Sequence, residues 1–492
     1  MMNLDRRKFL KYAGATAAVV GASALGLDYF LKPPANLNQT STMSTLVQAP
    51  PTISDFAWTP DQDDIHKAVI SFNAADTQSL LQSAQLTVNP HYPPELNQAA
   101  FPTEGPQTFQ LTPTTGAFAS KSATFTQPVT VKGGKSYEAS IEVANSAGNR
   151  ASTNQGCPYV REFENITINR GLRIGAYYYT WYLSGNWVGD ESPKGTPLLG
   201  YYDSDDSTVV SKHIDWASGH GISFFLSSWW GYDRPDVGYN REDANTLSVF
   251  SNTLADGMDI GIVYESKGRL KPNLFDDTGT IDLDDNANVQ LLTGDMRYFT
   301  QNYFQQPQYL TVNGRPLILY YLSRWFKGDI ANAIGQVRDI AQDAGYKLFI
   351  VGDEFKWSSP EEVSADRLRL FDAITAYSLL AESGYNVNNS NYESRLDAAF
   401  NYWSQEANGA GIKFIPVAMP GFRLSSFPQG TTERDPTKFA SRLSVAGKYV
   451  DSEIQMLLIT SFNEWWEGTF VEPSIDEEFE YLNTIRDFFA GQ

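Results

Sequence analysis

One cysteine, Cys157, and four histidines occur in 492 residues. A lone thiol excludes any disulfide within the chain, and so few Cys and His provide no cluster for zinc. Basic residues are also in short supply, with 37 Lys and Arg against 57 Asp and Glu, a net charge of −20. Such a surface repels phosphate backbones, which excludes nucleic acid as a partner. No metal or other cofactor is expected, because the conspicuous acids are flanked by Trp, Tyr and Asn rather than by His or further carboxylates, and hard cations need several oxygen ligands together. What is plentiful is aromatic: 13% of the chain, with 26 Tyr and 11 Trp. That richness often accompanies carbohydrate binding. With 42% hydrophobic residues the chain can bury a large core, spread over two or three domains.

Residues 1–32 carry Asp5-Arg6-Arg7-Lys8-Phe9-Leu10-Lys11 ahead of a weakly apolar run rich in Ala and Gly. A basic segment followed by a short apolar one reads as an export signal, and Arg6-Arg7 with Phe9-Leu10 resembles the twin-arginine type. The expectation is passage through the twin-arginine export machinery to an extracellular, periplasmic or cell-surface location. The segment is then either removed or kept as an N-terminal membrane anchor. Residues 33–50 are rich in Pro, Ser, Thr and Asn and read as a linker. Over 51–160, short alternating runs such as Ala68-Val69-Ile70-Ser71-Phe72 and Ala84-Gln85-Leu86-Thr87-Val88 are separated by turn residues, including Gly133-Gly134 and Ser146-Ala147-Gly148-Asn149. This pattern predicts a small all-β sandwich, and 134–150 resembles the last hairpin of immunoglobulin-like or fibronectin type III domains.

Over 161–492 apolar runs alternate with helix-period segments. Strands are expected at 173–181, 223–231, 259–266, 316–323, 347–354, 373–379, 413–421 and 455–464. Helices are expected at 209–220, 330–344, 392–408 and 436–450, among others. Eight such repeats predict an α/β fold, a (β/α)8 TIM barrel, whose chemistry sits at the C-terminal ends of the strands. Those ends hold most of the conspicuous aromatics and acids. The acids are Glu265 after the third strand, Asp353 and Glu354 at the fifth, and Glu464 and Glu467 at the eighth. Cleavage of a glycosidic bond generally needs two carboxyl groups. Two acids in one site repel each other's charge, so one carries a proton while the other ionises. The turn at Glu467-Gly468 brings Glu464 and Glu467 to one cavity. Asp353 and Glu354 point to opposite faces while extended, so at most one of them faces a pocket. The fourth and seventh strands end without an acid, unlike the large barrel clan that places its acid and nucleophile there.

The stretch Ser461-Phe462-Asn463-Glu464-Trp465-Trp466-Glu467-Gly468-Thr469, followed by Glu472-Pro473, resembles the eighth-strand motif of glycoside hydrolase family 99, the endo-α-mannosidase and endo-α-mannanase family. Tyr177-Tyr178-Tyr179-Thr180-Trp181-Tyr182 resembles its first strand, Tyr201-Tyr202-Asp203-Ser204-Asp205 the loop after it, and Ser227-Ser228-Trp229-Trp230-Gly231 its second. Tyr264-Glu265-Ser266-Lys267-Gly268-Arg269 resembles its third-strand acid, and Gly314-Arg315-Pro316 and Met419-Pro420-Gly421-Phe422 are weaker echoes. The likeness covers the barrel and not the module before it. Trp466 stands where the family usually has His, Phe470 where it has a polar residue, Thr180 where it has Pro, and Ser266-Lys267 where it has Pro-Tyr.

The resemblance implies retaining cleavage of α-mannosides with no carboxylate attacking the sugar. Glu464 would deprotonate the 2-hydroxyl, whose oxygen displaces the leaving group to give a 1,2-anhydro sugar, and Glu467 would be the general acid and base. Trp229 and Trp230 would bound the sugar subsites, and Glu265 would accept hydrogen bonds from a hydroxyl. Tyr177 and Tyr377 would line the floor, and Trp181, Tyr264, Asn463 and Trp466 would complete the substrate-binding set. The function expected is that of an exported endo-α-glycosidase acting on a polysaccharide or oligosaccharide. Two alternatives are a related, transferase-like barrel of polysaccharide biosynthesis and a silent sugar-binding protein. Export disfavours the first, because nucleotide-sugar donors are cytoplasmic, and the presence of both Glu464 and Glu467 disfavours the second.

Overall fold

The computed structural model describes residues 49–168, 171–185, 187, 192–233, 237–252, 257–271, 280–357 and 364–491. The export signal and nearly all of the linker lie outside the described residues. Among the described residues no helix is long and apolar enough to cross a membrane.

Alternation organises the N-terminal module. In the strand Lys67–Ala75 every second side chain, Ala68, Ile70, Phe72 and Ala74, is buried. It lies between Thr52–Pro60 and Ser122–Thr130 in a four-stranded antiparallel sheet. A second antiparallel sheet pairs Leu81–Pro90 with Lys135–Asn145, and the latter with Arg150–Val160. The inner faces of both sheets share one apolar core that includes Ile70, Phe125, Leu86, Ile141 and Val143. A period-two pattern with one face buried is what such two-layer packing requires.

The remaining chain forms a parallel barrel. Its strands are Arg173–Tyr178, Ile222–Trp229, Asp259–Tyr264, Arg315–Tyr320, Phe349–Asp353 and Ala373–Thr375, then a divided seventh strand, then Met456–Ile459. Each pairs in parallel with the next, and the eighth returns to the first with Leu457 opposite Ile174. All eight expected strands are present, but 413–421 is not one continuous strand. Lys413–Phe414 pairs with the sixth strand and Val417–Ala418 with the eighth. The break falls at Ile415-Pro416, where proline has no N–H to give to a ladder. Helices cover the outside, several of them started by an aspartate cap. The Asp206 side chain accepts from the Thr208 N–H at the head of Ser207–Ser218, and Asp435 accepts from Lys438 N–H at the head of Pro436–Gly447.

The module docks on the helix Ser207–Ser218 through buried polar groups. Lys212, fully buried, donates to the Ala100 carbonyl at 2.7 Å and pairs with Glu162 at 3.0 Å. Asp215 accepts from the Tyr159 hydroxyl (3.0 Å) and from the backbone N–H groups of Glu162 (2.6 Å) and Phe163 (3.1 Å). Leu96, Ala100 and Phe101, carried on the loop after Leu81–Pro90, belong to the barrel's own apolar core. Burial pushes the Asp215 carboxyl up from its ordinary range, against the pull of Arg161 and its three donors. Asp215→Ala leaves those donors buried without an acceptor, so a loss of about 3–5 kcal/mol is expected. A urea titration would read it as an earlier unfolding midpoint, and an unchanged midpoint would remove Asp215 from the seam.

Candidate active site

Pleat geometry decides which side chain at each strand end enters the barrel. On the first strand, Tyr178 points outward and its hydroxyl meets His213 Nδ1 on the surrounding helix at 3.0 Å. Its neighbour Tyr177 points inward, and its hydroxyl donates to the Ala376 carbonyl after the sixth strand. Tyr179 again points inward, and its hydroxyl donates to Tyr377 at 2.7 Å. On the third strand Tyr264 is outward, donating to Asp295 on the helix Asn286–Asn302 at 2.8 Å. Glu265 follows it inward and accepts from Ser228 at 2.6 Å. On the fifth strand Glu354 is held outside by Ser323 and Arg367. Asp353 is buried and accepts from the Leu322 N–H (3.0 Å) and from Arg324 (2.7 Å). The two acids therefore take opposite faces.

The segment after the eighth strand is a closed loop. The Ser461 N–H donates to the Thr469 carbonyl at 2.7 Å, the Ser461 hydroxyl accepts from the Glu464 N–H at 2.8 Å, and the Ser461 and Thr469 hydroxyls meet at 2.8 Å. Gly468 closes it with φ of +66°, and a Cβ there would press on Lys194 at 3.2 Å. Behind the loop, Glu472 accepts from Tyr202 and from the Trp465 indole, each at 2.8 Å, and meets His213 Nε2 at 3.1 Å. This buried network anchors Trp465, and with it the two flanking residues Glu464 and Trp466.

The charges of three carboxylates bear on one phenol. The Tyr179 phenol is pushed well above its ordinary pKa, first by burial and then by the charges of Glu464, Glu265 and Glu467. Tyr377 is pushed up by burial and by Glu467, Tyr179 and Glu464, and its hydroxyl donates to Glu467 Oε2 at 2.9 Å. Tyr321 is raised by burial, Glu265, Glu467 and Asp353, and its ring meets that of Tyr377 edge-on. Glu464 is almost wholly buried at 1% exposure, whereas Glu467 is half-buried and opens toward the mouth. The mouth is walled by Trp181, whose ring lies 4.5 Å from that of Tyr179 and 5.6 Å from that of Trp466. Among the described residues no group of three His, Cys, Asp or Glu side chains is placed to hold a metal.

Glu464, Glu467, Glu265, Tyr177, Tyr377, Trp181 and Trp466 thus gather at one end of the barrel, with Tyr177 as part of its floor. Three other residues expected to touch substrate, Trp229, Tyr264 and Asn463, are placed elsewhere. Trp229 faces the helices, with 0% exposure and its indole donating to Asp243 at 2.6 Å. Tyr264 is outward for the same reason: in a strand, neighbours of inward residues point away. Trp230 faces inward, its ring 6.2 Å from that of Trp181 and its indole on Ser228, and belongs to the wall. Asn463 is spent on the scaffold, accepting from Tyr179 N–H (2.8 Å) and donating to the Tyr179 carbonyl (2.9 Å) and to Tyr202 (3.3 Å). Tyr179 and Tyr321 are the site residues missed by sequence reasoning, and alternation from Tyr177 would have found Tyr179. Asn463→Ala leaves the Tyr179 N–H and carbonyl buried without partners, and a loss of about 1–3 kcal/mol is expected in thermal unfolding. An unshifted midpoint would show that Asn463 does not pin the first strand end.

A family model described as Glycosyltransferase WbsX matches residues 293–485. A glycoprotein endo-alpha-1,2-mannosidase of Xenopus laevis is 23% identical over 305 residues, covering 57% of this chain and 59% of that protein. The chain therefore spans less than two thirds of the frog protein. The Rattus norvegicus protein of the same name is 22% identical over 351 residues, covering 61% of this chain and 68% of its own. Among solved structures, a glycoside hydrolase-like protein superposes with a TM-score of 0.52 at 18% identity, covering 66% of this chain and 96% of that one. The GH99 endo-alpha-mannosidase from Bacteroides thetaiotaomicron in complex with BIS-TRIS-propane superposes with a TM-score of 0.50 at 19% identity, covering 67% and 98%. At these identities the structural likeness is one of fold.

Proposed function

We propose that this chain is a member or close relative of glycoside hydrolase family 99 and performs the reaction of an exported, retaining endo-α-glycosidase that cleaves α-mannosidic bonds in mannose-containing glycans. The observation that carries the reading is the hydrogen-bonded series Tyr179, Tyr377 and Glu467 inside a mouth walled by Trp181 and Trp466, with Glu464 and Glu265 at the neighbouring strand ends. An indole wall packs on the apolar face of a pyranose and excludes water, which strengthens every charge interaction within. Glu464, deep and held by the Ser461 loop, is the base toward the sugar 2-hydroxyl. The oxygen freed by that step displaces the leaving group and gives a 1,2-anhydro sugar. Glu467, nearer the mouth, protonates the leaving oxygen and then activates water to open the anhydro ring. Glu265 accepts a hydrogen bond from a sugar hydroxyl. The two-sheet module is read as an immunoglobulin-like or fibronectin III-like accessory unit, and residues 1–32 as a twin-arginine-type signal or anchor.

The two strand-8 acids have distinct signatures. Glu467→Gln is expected to slow substrates with poor leaving groups by ~10²–10⁴-fold while sparing activated aryl glycosides, because acid assistance matters least when the leaving oxygen is already a stable anion. Glu464→Gln is expected to slow both substrate types, since the 2-oxygen stays protonated. Intact-protein mass after a 2-fluoro glycoside should find no attached sugar. A trapped glycosyl-enzyme on any carboxylate would replace this route with ordinary double displacement.

Tyr377 gives a pH test. Its hydroxyl donates to Glu467 Oε2 and so favours the ionised acid. Removing the donor in Tyr377→Phe lets the acid keep its proton to higher pH. The alkaline limb of kcat/KM is therefore expected to move up by roughly half to one unit. A limb that stays in place or moves down would remove Glu467 as the acid.

A second reading, sugar transfer, is favoured by the description of the family model over 293–485. Incubation with α-mannan in water, with and without acceptor sugars, separates the two by product mass.

A further inference from the structure

We propose that Tyr232 and Asp233, in the loop after the second barrel strand, form an outer subsite that stacks a hexose ring of the glycan beyond the bond being cut. The inference rests on the glycosidase reading and extends it to chain length. Among the described residues Tyr232 is one of few large hydrophobic residues left in solvent, at 40% exposure. It is nonetheless held in place. The Tyr298 ring lies parallel to it at 4.0 Å and 14°, and Tyr298 is itself anchored by its hydroxyl on Asp243. Beside it, Arg269 is 5% exposed and its guanidinium stands 5.8 Å from the Tyr232 centroid. That guanidinium donates to both oxygens of Asp295, at 2.8 and 2.6 Å, and to Asp233, whose side chain is 49% exposed.

A rigid aromatic face next to a fixed, solvent-facing carboxylate matches the two sides of a pyranose, C–H groups on the flat face and hydroxyls at the edge. The exposed carboxylate beside the ring argues against an apolar protein partner, whose contact would bury Asp233. The location also fits. Trp230 donates to Ser228, which donates to Glu265, and Gly231, at φ of +116°, lets the chain pass directly over Arg269, where a Cβ would lie 2.7 Å from the guanidinium. Tyr232 thus follows two residues after the inward-facing Trp230, in the loop that leaves the mouth end of the second strand. A platform there binds substrates longer than a disaccharide, the requirement for cleavage within a chain.

The test is affinity electrophoresis of the full-length protein through gels containing α-mannan, with dextran, xylan and β-mannan as the other polysaccharides. Tyr232→Ala is expected to reduce retention by about 2- to 12-fold, the factor for loss of one aromatic contact. Tyr232→Trp should restore it, which separates stacking from a folding defect. In turnover, the ratio of kcat/KM for a tetrasaccharide to that for an aryl disaccharide should fall by the same factor in Tyr232→Ala. Retention equal to wild type in Tyr232→Ala overturns the subsite. If α-mannan retains nothing but another polysaccharide does, the mannoside reading fails, and the subsite is judged by whether Tyr232→Ala loses retention on that polysaccharide. If no polysaccharide retains the wild-type protein, the subsite is overturned.

Discussion

The pleat of a barrel strand sends successive side chains to opposite faces, and every feature of this site depends on that constraint. At the mouth, the pairs Tyr177 and Tyr178, Trp229 and Trp230, Tyr264 and Glu265, and Asp353 and Glu354 each divide between the interior and the helix layer. The inward members supply the floor, the wall and the charge. The outward members tie each strand to its covering helix through Tyr178 to His213, Trp229 to Asp243, and Tyr264 to Asp295. The same strand end therefore builds the site and fixes its position against the scaffold, and a one-residue slip would exchange the two roles.

Ring closure adds the second constraint. The eighth strand returns to the first, and just beyond the paired residues Asn463 bonds both backbone groups of Tyr179. That lock holds the Glu464 loop against the tyrosine whose phenol feels all three carboxylates. Below it, Glu472 and His213 connect the loop to the helix Ser207–Ser218, the helix on which the N-terminal module rests. The adjacent residues Lys212 and His213 hold the module on one side and the loop on the other, so the seam between the two units and the candidate site share a support.

Acids are common in this chain, and their partners separate the structural from the reactive ones. Asp215, Asp295, Glu354 and Glu472 each satisfy several buried donors. Glu467 instead accepts from the Tyr377 hydroxyl, and the charges of Glu464, Glu265 and Glu467 all bear on the Tyr179 phenol inside a tryptophan-walled mouth, where a hydroxylated ligand can compete for them. The Tyr179, Tyr377 and Glu467 hydrogen bonds run in series, each hydroxyl donating toward the carboxylate.

Eight apolar runs spaced by helical segments were sufficient to read the barrel from the sequence, because burial on both faces of a parallel strand leaves a continuous hydrophobic signal. The Asn-Glu-Trp-Trp-Glu stretch was likewise legible, since two acids flanking a pair of indoles at a strand end have few structural explanations. The sequence did not say which of two adjacent aromatics faces substrate: Trp229 and Tyr264 look the same in one dimension as Trp181 and Tyr377. Nor did it reveal that Asn463 is consumed by Tyr179, or that strand seven changes partner at Pro416, because both depend on residues far away in the chain. Local composition determined where strands end and what chemistry gathers there. Only the closed ring, which brings residue 179 beside 463 and 377 beside 467, decided which hydroxyls, carboxylates and indoles meet.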